Sequence, residues 1–152
     1  AVVVPSFKVL ALYDYKIENT AELSIPDNIG IEIPKTNVKY AILDNSSAKA
    51  MEVGIAMLYG PGVNKVGNTV LAGHNYRNGT FFSNNKKLNE GDVIYLTDTS
   101  GKRVKYVIYK KYQTDSNDFS YATRTTNGKR EISVSTCTDD SSARLILWAK
   151  EG

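Results

Sequence analysis

Residues 131–149 read EISVSTCTDDSSARLILWA, and this stretch gives the clearest indication of the architecture. Residues 131–137 alternate between larger side chains and serines, which is the period of a β-strand. Residues 139–143 are polar and have the composition of a turn, whereas residues 144–149 are strongly apolar, as in a buried strand. We therefore predict two antiparallel strands joined by a short polar turn.

Other parts of the chain show further short strand patterns separated by turn residues. In each of them, apolar residues alternate with polar ones or form a short apolar run, which is typical of strands rather than of helices. The additional predicted strands are residues 29–33, 38–43, 70–72, 92–97 and 103–111.

Loops are predicted where turn residues cluster. Residues 54–66 contain a Gly-Pro-Gly sequence and are predicted to form a loop. Residues 98–101 have the composition of a hairpin turn. Residues 114–129 are rich in Asp, Asn, Ser and Thr and are predicted to be a long connection. Long connections in compact domains are often functional.

Helical patterns are few. A short helix is predicted over residues 45–51, after an Asn-Ser-Ser capping sequence. A second short helix, or a turn, is predicted around residues 81–88, where Phe81, Phe82 and Leu88 should pack on the core. Many short strands, few helices and no internal repeat predict a mostly-β fold, either an antiparallel β-barrel or a sandwich.

The composition is that of one ordinary folded domain. The chain has 152 residues, of which 41% are hydrophobic and 23% charged, with a formal net charge of +3. The lysine pairs at 86–87 and 110–111 form no basic stripe, so we expect no nucleic-acid partner. No window approaches the roughly 20 consecutive apolar residues that a transmembrane helix requires.

Residues 1–28 are mixed in composition and are predicted to be an N-terminal extension of a domain formed by residues 29–152. The chain begins at Ala1 rather than at a methionine. We therefore expect that an upstream signal or membrane anchor has been removed.

Three residues stand out as candidates for chemistry. Cys137, the only cysteine, ends one predicted strand, and Arg144 begins the next one after a short turn. Antiparallel pairing of these strands would place Arg144 beside Cys137. His74, the only histidine, lies where the predicted strand at 70–72 gives way to a loop. Side chains at strand ends are held by the sheet and yet can reach solvent, which suits catalysis.

These residue types suit acyl transfer through a thioester. Only the thiolate form of a cysteine attacks a carbonyl carbon, and neighbouring positive charge favours that form. Histidine can protonate a leaving amine near neutral pH. Arginine cannot act as a base, but its guanidinium can bind the negative oxygen of a tetrahedral intermediate.

Each candidate also has a simpler interpretation. A lone cysteine on a strand can be a buried small hydrophobe. A histidine next to glycine and asparagine can be a turn residue, and an arginine at a strand start can be a surface charge. Spacing alone does not establish that Cys137, His74 and Arg144 meet.

Five segments, in order, resemble the sortase family of bacterial cysteine transpeptidases. Residues 71–75 are similar to the family's apolar strand that ends in Gly-His. Residues 133–137 resemble its Thr-Leu-x-Thr-Cys signature, with Ser133 and Val134 in place of the usual Thr and Leu. The other three segments are 144–146, similar to the start of its last strand, 29–35, similar to its first core strand, and 60–68, similar to the loop before the histidine strand.

The resemblance implies an eight-stranded β-barrel with one or two short helices. It also implies that Cys137 attacks a C-terminal sorting signal of LPxTG type after its threonine, with His74 and Arg144 as catalytic partners. An amine of a peptidoglycan precursor or a pilin lysine would resolve the thioester. Surface proteins or pilins would be the substrates. The enzyme would act on the extracellular face of the membrane, held there only by an N-terminal anchor absent from this sequence.

The resemblance further implies that residues 112–130 form the connection that shapes recognition of the sorting signal. Aromatic residues there would form apolar walls of the substrate site, although such residues can also serve only to anchor the loop by packing. The residues predicted to bind substrate are Ser135, Thr136, Tyr112, Phe119 and Tyr121.

No cofactor is predicted. Some sortases bind calcium through loop carboxylates, but the acidic residues of the loops here are assigned no metal, because such charges usually face solvent. Two other functions stay open. One is a non-catalytic extracellular β-domain of a pilin or adhesin, with Cys137 as a structural residue. The other is a cysteine peptidase that only hydrolyses its substrate.

Overall fold

The computed structural model describes residues 29–43 and 54–152, which form a closed barrel. Its strands neighbour each other in the order β1-β2-β3-β4-β7-β8-β6-β5. The predicted mostly-β fold is confirmed, and the sheet closes into a barrel rather than a sandwich. The strands are β1 (Gly30–Ile33), β2 (Val38–Leu43), β3 (Ile55–Tyr59), β4 (Gly67–Ala72), β5 (Val93–Thr97), β6 (Arg103–Asp115), β7 (Arg130–Cys137) and β8 (Ala143–Glu151).

Helical structure in the described residues is limited to three short 3₁₀ helices, Pro34–Thr36, Asn85–Lys87 and Ser120–Thr123. None of these helices has the length and hydrophobicity that a membrane crossing needs. The helix predicted over residues 45–51 and the extension at residues 1–28 lie outside the described residues.

Most neighbouring strands are antiparallel, as predicted, but β2 and β3 are parallel, and so are β4 and β7. Their register pairs Gly67 with Arg130 and Ala72 with Ser135. Parallel strands end at the same edge of a sheet. The pairing therefore brings the segments that follow β4 and end β7 to one edge of the barrel.

The barrel interior is filled by the apolar residues that alternate along the strands. Ile94 and Leu96 of β5 point inward and are fully buried, whereas Val93 and Tyr95 are half-buried. Phe81, Phe82 and Leu88 lie on a turn that packs on this core and are also fully buried. Burying a side chain of this size contributes about 1.5–3 kcal/mol to the free energy of unfolding.

Two sequence-based assignments are wrong. Residues 55–59, predicted as part of a loop, form β3, which pairs with β4. Ile55 and Ala56 are both fully buried, whereas Met57 and Leu58 are both half-buried, so no alternation marks this strand. β6 extends to Asp115 instead of ending at 111, because it pairs with β8 as far as Asp115 opposite Ala143. The connection between β6 and β7 is therefore residues 116–129.

Candidate active site

The edge where β4 and β7 end holds two of the three candidate catalytic residues. His74 follows β4 after Gly73, and Cys137 is the last residue of β7. Both side chains are half-buried. The parallel pairing of the two strands brings together residues that are far apart in the chain.

Three hydrogen bonds fasten the segment around His74 to the end of β7. The Gly73 N–H donates to the Ser135 carbonyl oxygen at 3.2 Å. The Thr136 hydroxyl donates to the Gly73 carbonyl oxygen at 2.7 Å, and the Asn75 amide Nδ2 donates to the Cys137 carbonyl oxygen at 3.0 Å. The backbone on both sides of His74 is thus fixed relative to Cys137.

Gly73 is required at its position by packing. A Cβ atom there would lie 2.7 Å from both Ile55 Cδ1 and Phe82 Cδ2. Real Cβ atoms do not approach other heavy atoms so closely, and both neighbours are fully buried. The Gly-His sequence therefore lets the chain pass close over the core just before the histidine.

Arg144 lies directly opposite Cys137 in the antiparallel pair of β7 and β8. Its Nη1 donates a hydrogen bond to Cys137 Sγ. A guanidinium at this place stabilises negative charge on the sulfur. The short turn between the two strands predicts that Arg144 lies beside Cys137, as it does here.

The turn between β7 and β8 is tied by Asp140. This carboxylate accepts hydrogen bonds from the backbone N–H and the hydroxyl of Ser142 and from the hydroxyl of Thr138. These bonds, above all the one from the Ser142 N–H, lower the pKa of Asp140 to about 2. Ser141 adopts the left-handed backbone conformation, with φ of 62°, which allows the chain to reverse.

The three candidate catalytic residues line a single cavity of about 350 Å³. Four of the five residues predicted to bind substrate line it too, namely Ser135, Thr136, Phe119 and Tyr121. The sequence did not single out Leu58, the half-buried residue of β3 that adds to the apolar wall. The cavity combines polar residues at the strand ends with an apolar wall from β3 and the β6–β7 connection.

Tyr112 does not line this cavity. It lies on β6, which runs on to Asp115, and its ring packs edge-on against Trp148 with ring centroids 5.7 Å apart. Burial raises its pKa above the ordinary value. The sequence placed Tyr112 in the connection because the end of β6 lacks a clear alternation.

The aromatic part of the wall belongs to the β6–β7 connection. Tyr121 is 4% exposed, whereas Phe119 is 42% exposed, and their ring centroids lie 5.1 Å apart. Tyr59, at the end of β3, contacts Phe119 edge-on at 6.4 Å. Phe119 therefore presents an apolar surface to solvent at the mouth of the cavity.

Tyr76 is a site residue that the sequence analysis did not identify. Its ring stacks on the His74 imidazole, with centroids 4.9 Å apart and an interplanar angle of 24°. It also contacts the buried Phe81, with ring centroids 5.9 Å apart. Tyr76 thus links the orientation of the imidazole to the core.

A second cavity, of about 440 Å³, also borders Cys137 and Thr136. Most of the residues that line it are polar or charged types, including Lys86, Lys111, Gln113, Asp139 and Asp140. Asp139 accepts hydrogen bonds from Lys86 Nζ at 2.5 Å and from Asn75 Nδ2 at 2.9 Å. The bond from Lys86 is the main reason why the pKa of Asp139 is lowered.

Within residues 29–43 and 54–152, no three His, Cys, Asp or Glu side chains are grouped so that they could hold a metal ion. Two loop carboxylates of this part of the chain hold turns instead. Asp98 accepts hydrogen bonds from the backbone N–H groups of Ser100 and Lys102. Asp118 accepts them from the Thr114 hydroxyl and the Ser120 N–H.

Comparison with known proteins agrees with the motifs. The family model described as the sortase domain matches residues 31–152. Sortase A of Bacillus anthracis is 30% identical over 120 residues, which are 77% of this chain and 56% of that protein. The chain thus spans a little over half of the length of this relative.

Two solved structures share the barrel. A sortase D5 transpeptidase of Clostridium perfringens aligns with a TM-score of 0.74 and 26% identity, over 92% of this chain and 88% of that one. Sortase A of Corynebacterium diphtheriae aligns with a TM-score of 0.75 and 25% identity, over 93% of this chain and 67% of that one.

Proposed function

The chain belongs to the sortase family, as its motifs predict, and on that premise we propose that it is a cysteine transpeptidase. It would cleave an LPxTG-like sorting signal after threonine and transfer the protein to an amine. The observation that carries this proposal is the Arg144 hydrogen bond to Cys137 Sγ, in a cavity that His74 also lines. Thiolate, guanidinium and imidazole are the groups that thioester chemistry needs.

In the first half-reaction, the Cys137 sulfur attacks the threonine carbonyl carbon. The negative charge leaves the sulfur as the C–S bond forms and appears on the carbonyl oxygen. The Arg144 guanidinium, already at the sulfur, is then placed to bind this oxyanion, an interaction that strengthens toward the transition state. His74 donates a proton to the leaving amine as the C–N bond breaks, which leaves an acyl thioester on Cys137.

The sorting signal would lie in the cavity of about 350 Å³. Its apolar residues would contact Leu58, Phe119 and Tyr121, where apolar area is removed from water on binding. Ser135 and Thr136, at the strand end, would border the threonine of the signal. Because the Thr136 hydroxyl already donates to Gly73, its main contribution is to hold the His74 segment in place.

In the second half-reaction, an amine attacks the thioester carbonyl carbon and the sulfur leaves. The cavity of about 440 Å³ also borders Cys137 but is not lined by Phe119 or Tyr121, so an acceptor can approach there while the acyl group stays bound. Neutral His74 accepts the proton that the amine loses. The acceptor would be an amine of a peptidoglycan precursor or a pilin lysine, on the outer face of the cell membrane.

A non-catalytic β-domain would require Cys137 to be an enclosed core residue. The thiol is instead half-buried, borders two cavities and contacts a guanidinium. These observations favour the enzyme.

Mass-spectrometric product analysis tests the proposal. The protein and its Cys137→Ala variant are incubated with a panel of LPxTG-like peptides, with and without triglycine. We expect cleavage after threonine, a triglycine-linked product and no reaction of the variant. A hydrolysed product that added amine never diverts would indicate a peptidase. Absence of cleavage, together with a thiol that resists alkylation in the folded protein, would indicate the non-catalytic domain.

A further inference from the structure

Asn68 is a buried polar residue that the mechanism does not use. It lies in β4, the strand that leads to His74, and is 5% exposed. Both N–H bonds of its side-chain amide are directed at the β6–β7 connection. Nδ2 donates to the carbonyl oxygens of Tyr121 and Ala122, each at 3.1 Å.

The other end of the amide is also fixed. The Ser133 hydroxyl donates to Asn68 Oδ1 at 3.0 Å, and Ser133 is fully buried in β7, the strand that ends at Cys137. The bonds require a group with two donors on one side and an acceptor on the other, which a carboxamide provides. The network therefore joins both strands that lead to the catalytic residues to the connection that forms the wall.

The two carbonyl groups belong to the 3₁₀ helix Ser120–Thr123. Carbonyls in the last turn of a helix have no partner within the helix and need another donor when they are buried. Phe119 and Tyr121, which form the aromatic wall of the cavity, lie directly before this helix and inside it. The Asn68 amide thus bonds directly to the helix that carries the wall.

We propose that Asn68 is a positioning residue for substrate recognition, which holds the 3₁₀ helix Ser120–Thr123 so that Phe119 and Tyr121 shape the cavity for the sorting signal. This inference rests on the proposed transpeptidase function. Loss of the amide would leave Cys137, His74 and Arg144 in place, since other bonds fix them. The effect should therefore fall on KM rather than on kcat.

Asn64 provides a matched control. It is 6% exposed, and its Nδ2 donates to the carbonyl oxygens of Leu96 and Lys102, each at 3.1 Å. Its Oδ1 accepts a hydrogen bond from the Tyr106 hydroxyl at 3.0 Å. The bonding pattern resembles that of Asn68, with one further, longer bond from Nδ2 to Asp98 Oδ2 at 3.4 Å. None of these partners lines the cavity that holds Cys137.

The test compares Asn68→Ala with Asn64→Ala by steady-state kinetics, using whichever LPxTG-like peptide the wild-type protein cleaves best. Asn68→Ala should raise KM about tenfold and change kcat by less than about twofold. Asn64→Ala also places alanine at a φ of 60°, so it should lower thermal stability at least as much as Asn68→Ala does, and it should leave KM unchanged. Equal KM values for wild type and Asn68→Ala, or an equal rise in both variants, would overturn the proposal.

Hydrogen exchange of the backbone amides of residues 119–123 is a second readout that needs no substrate. Exchange there should be at least about tenfold faster in Asn68→Ala than in Asn64→Ala. If the wild-type protein cleaves no peptide, the proposed function fails, and the exchange measurement alone decides whether Asn68 holds the wall. Identical exchange in the two variants would contradict that role.

Discussion

The cavity is built from two regions that are fixed in different ways. The strand edge, which consists of residues 73–75, 136–138 and 143–144, is held by backbone pairing and by bonds to strand ends. The β6–β7 connection, residues 116–129, is held mainly by side-chain hydrogen bonds, among them those that Asn68 donates to its 3₁₀ helix. The first region carries the proposed reacting groups, and the second carries the aromatic part of the apolar wall.

From this difference we infer that the strand edge positions the reacting groups and that the connection determines substrate recognition. Reacting groups need positions fixed to a fraction of an ångström, which paired strands provide. A recognition wall can vary in sequence and length on a connection without disturbing them. Substitutions at the strand edge should therefore lower kcat, whereas substitutions in the connection should raise KM.

The largest expected effect comes from removing the guanidinium at the sulfur. Arg144→Ala should lower kcat about 10²- to 10³-fold, because an oxyanion donor of this kind contributes that much. Arg144→Lys keeps the charge but loses the planar fork and should recover only part of the rate. Arg103→Ala, which removes an exposed arginine paired with Glu32, is the control and should leave kcat unchanged. A wild-type kcat for Arg144→Ala would contradict the assignment of the reacting groups to the strand edge.

The next effect should come from crowding the chain before His74. Gly73→Ala introduces a Cβ 2.7 Å from Ile55 and Phe82, so the segment or the core must shift. We expect the free energy of unfolding to fall by about 1–3 kcal/mol, with kcat lower by about tenfold.

Adding Ile55→Val to Gly73→Ala should restore part of both the stability and the rate, because it removes the Cδ1 atom that the new Cβ would meet. Thermal unfolding and steady-state kinetics measure the two effects. Unchanged stability and rate in Gly73→Ala would show that the core yields without moving His74.

A smaller effect, of a different kind, is expected in the connection. Phe119→Ala removes the exposed ring at the mouth of the cavity. KM for the sorting peptide should rise about three- to tenfold, because less apolar area is buried when the peptide binds, with kcat nearly constant. Phe119→Leu should retain most of the affinity. A fall in kcat without a change in KM would contradict the assignment of recognition to this region.

The smallest effect is a dependence on acidic pH that both regions share. Hydrogen bonds lower the pKa of Asp140, in the β7–β8 turn, and of Asp118, in the connection, to about 2. In the unfolded chain an aspartate has a pKa of about 3.9. Each carboxylate therefore adds stability that is fully present above about pH 4 and is lost as the pH falls to about 2.

Urea unfolding between pH 7 and 2 measures this contribution. Asp140→Ala should be less stable than wild type at pH 5–7, and the two proteins should converge as the pH falls to about 2. Ser142→Ala, which removes one donor to the same carboxylate, should show part of the difference. A constant difference at all pH values would mean that the carboxylate charge is not what ties the turn.

The sequence predicts much of the strand edge, because local patterns determine it. Alternation marks β7, and the short polar turn after it places Arg144 beside Cys137. His74 is brought to the strand edge that holds Cys137 by the parallel pairing of β4 with β7, which no local sequence pattern reveals. Only the resemblance of the motifs to a known family indicated that His74 belongs to the same site.

The wall was harder to predict, because side-chain contacts between distant residues determine it. Phe119 and Tyr121 reach the cavity, but Tyr112 does not, since pairing with β8 extends β6 past it. Leu58 was missed together with β3, whose half-buried residues follow no alternation. Nothing in the sequence distinguishes Asn68 from other polar residues, because its three hydrogen bonds are to residues far away in the chain.

Intact-mass spectrometry of the protein during a single turnover tests the central claim most directly. An LPxTG-like peptide should add the mass of its acyl part to Cys137, and added triglycine should remove that mass while it yields the amine-linked product. Arg144→Ala should accumulate the adduct far more slowly. If no adduct forms on Cys137 while the peptide is cleaved, or if the adduct forms and triglycine does not accept it, the account of thioester transfer is wrong.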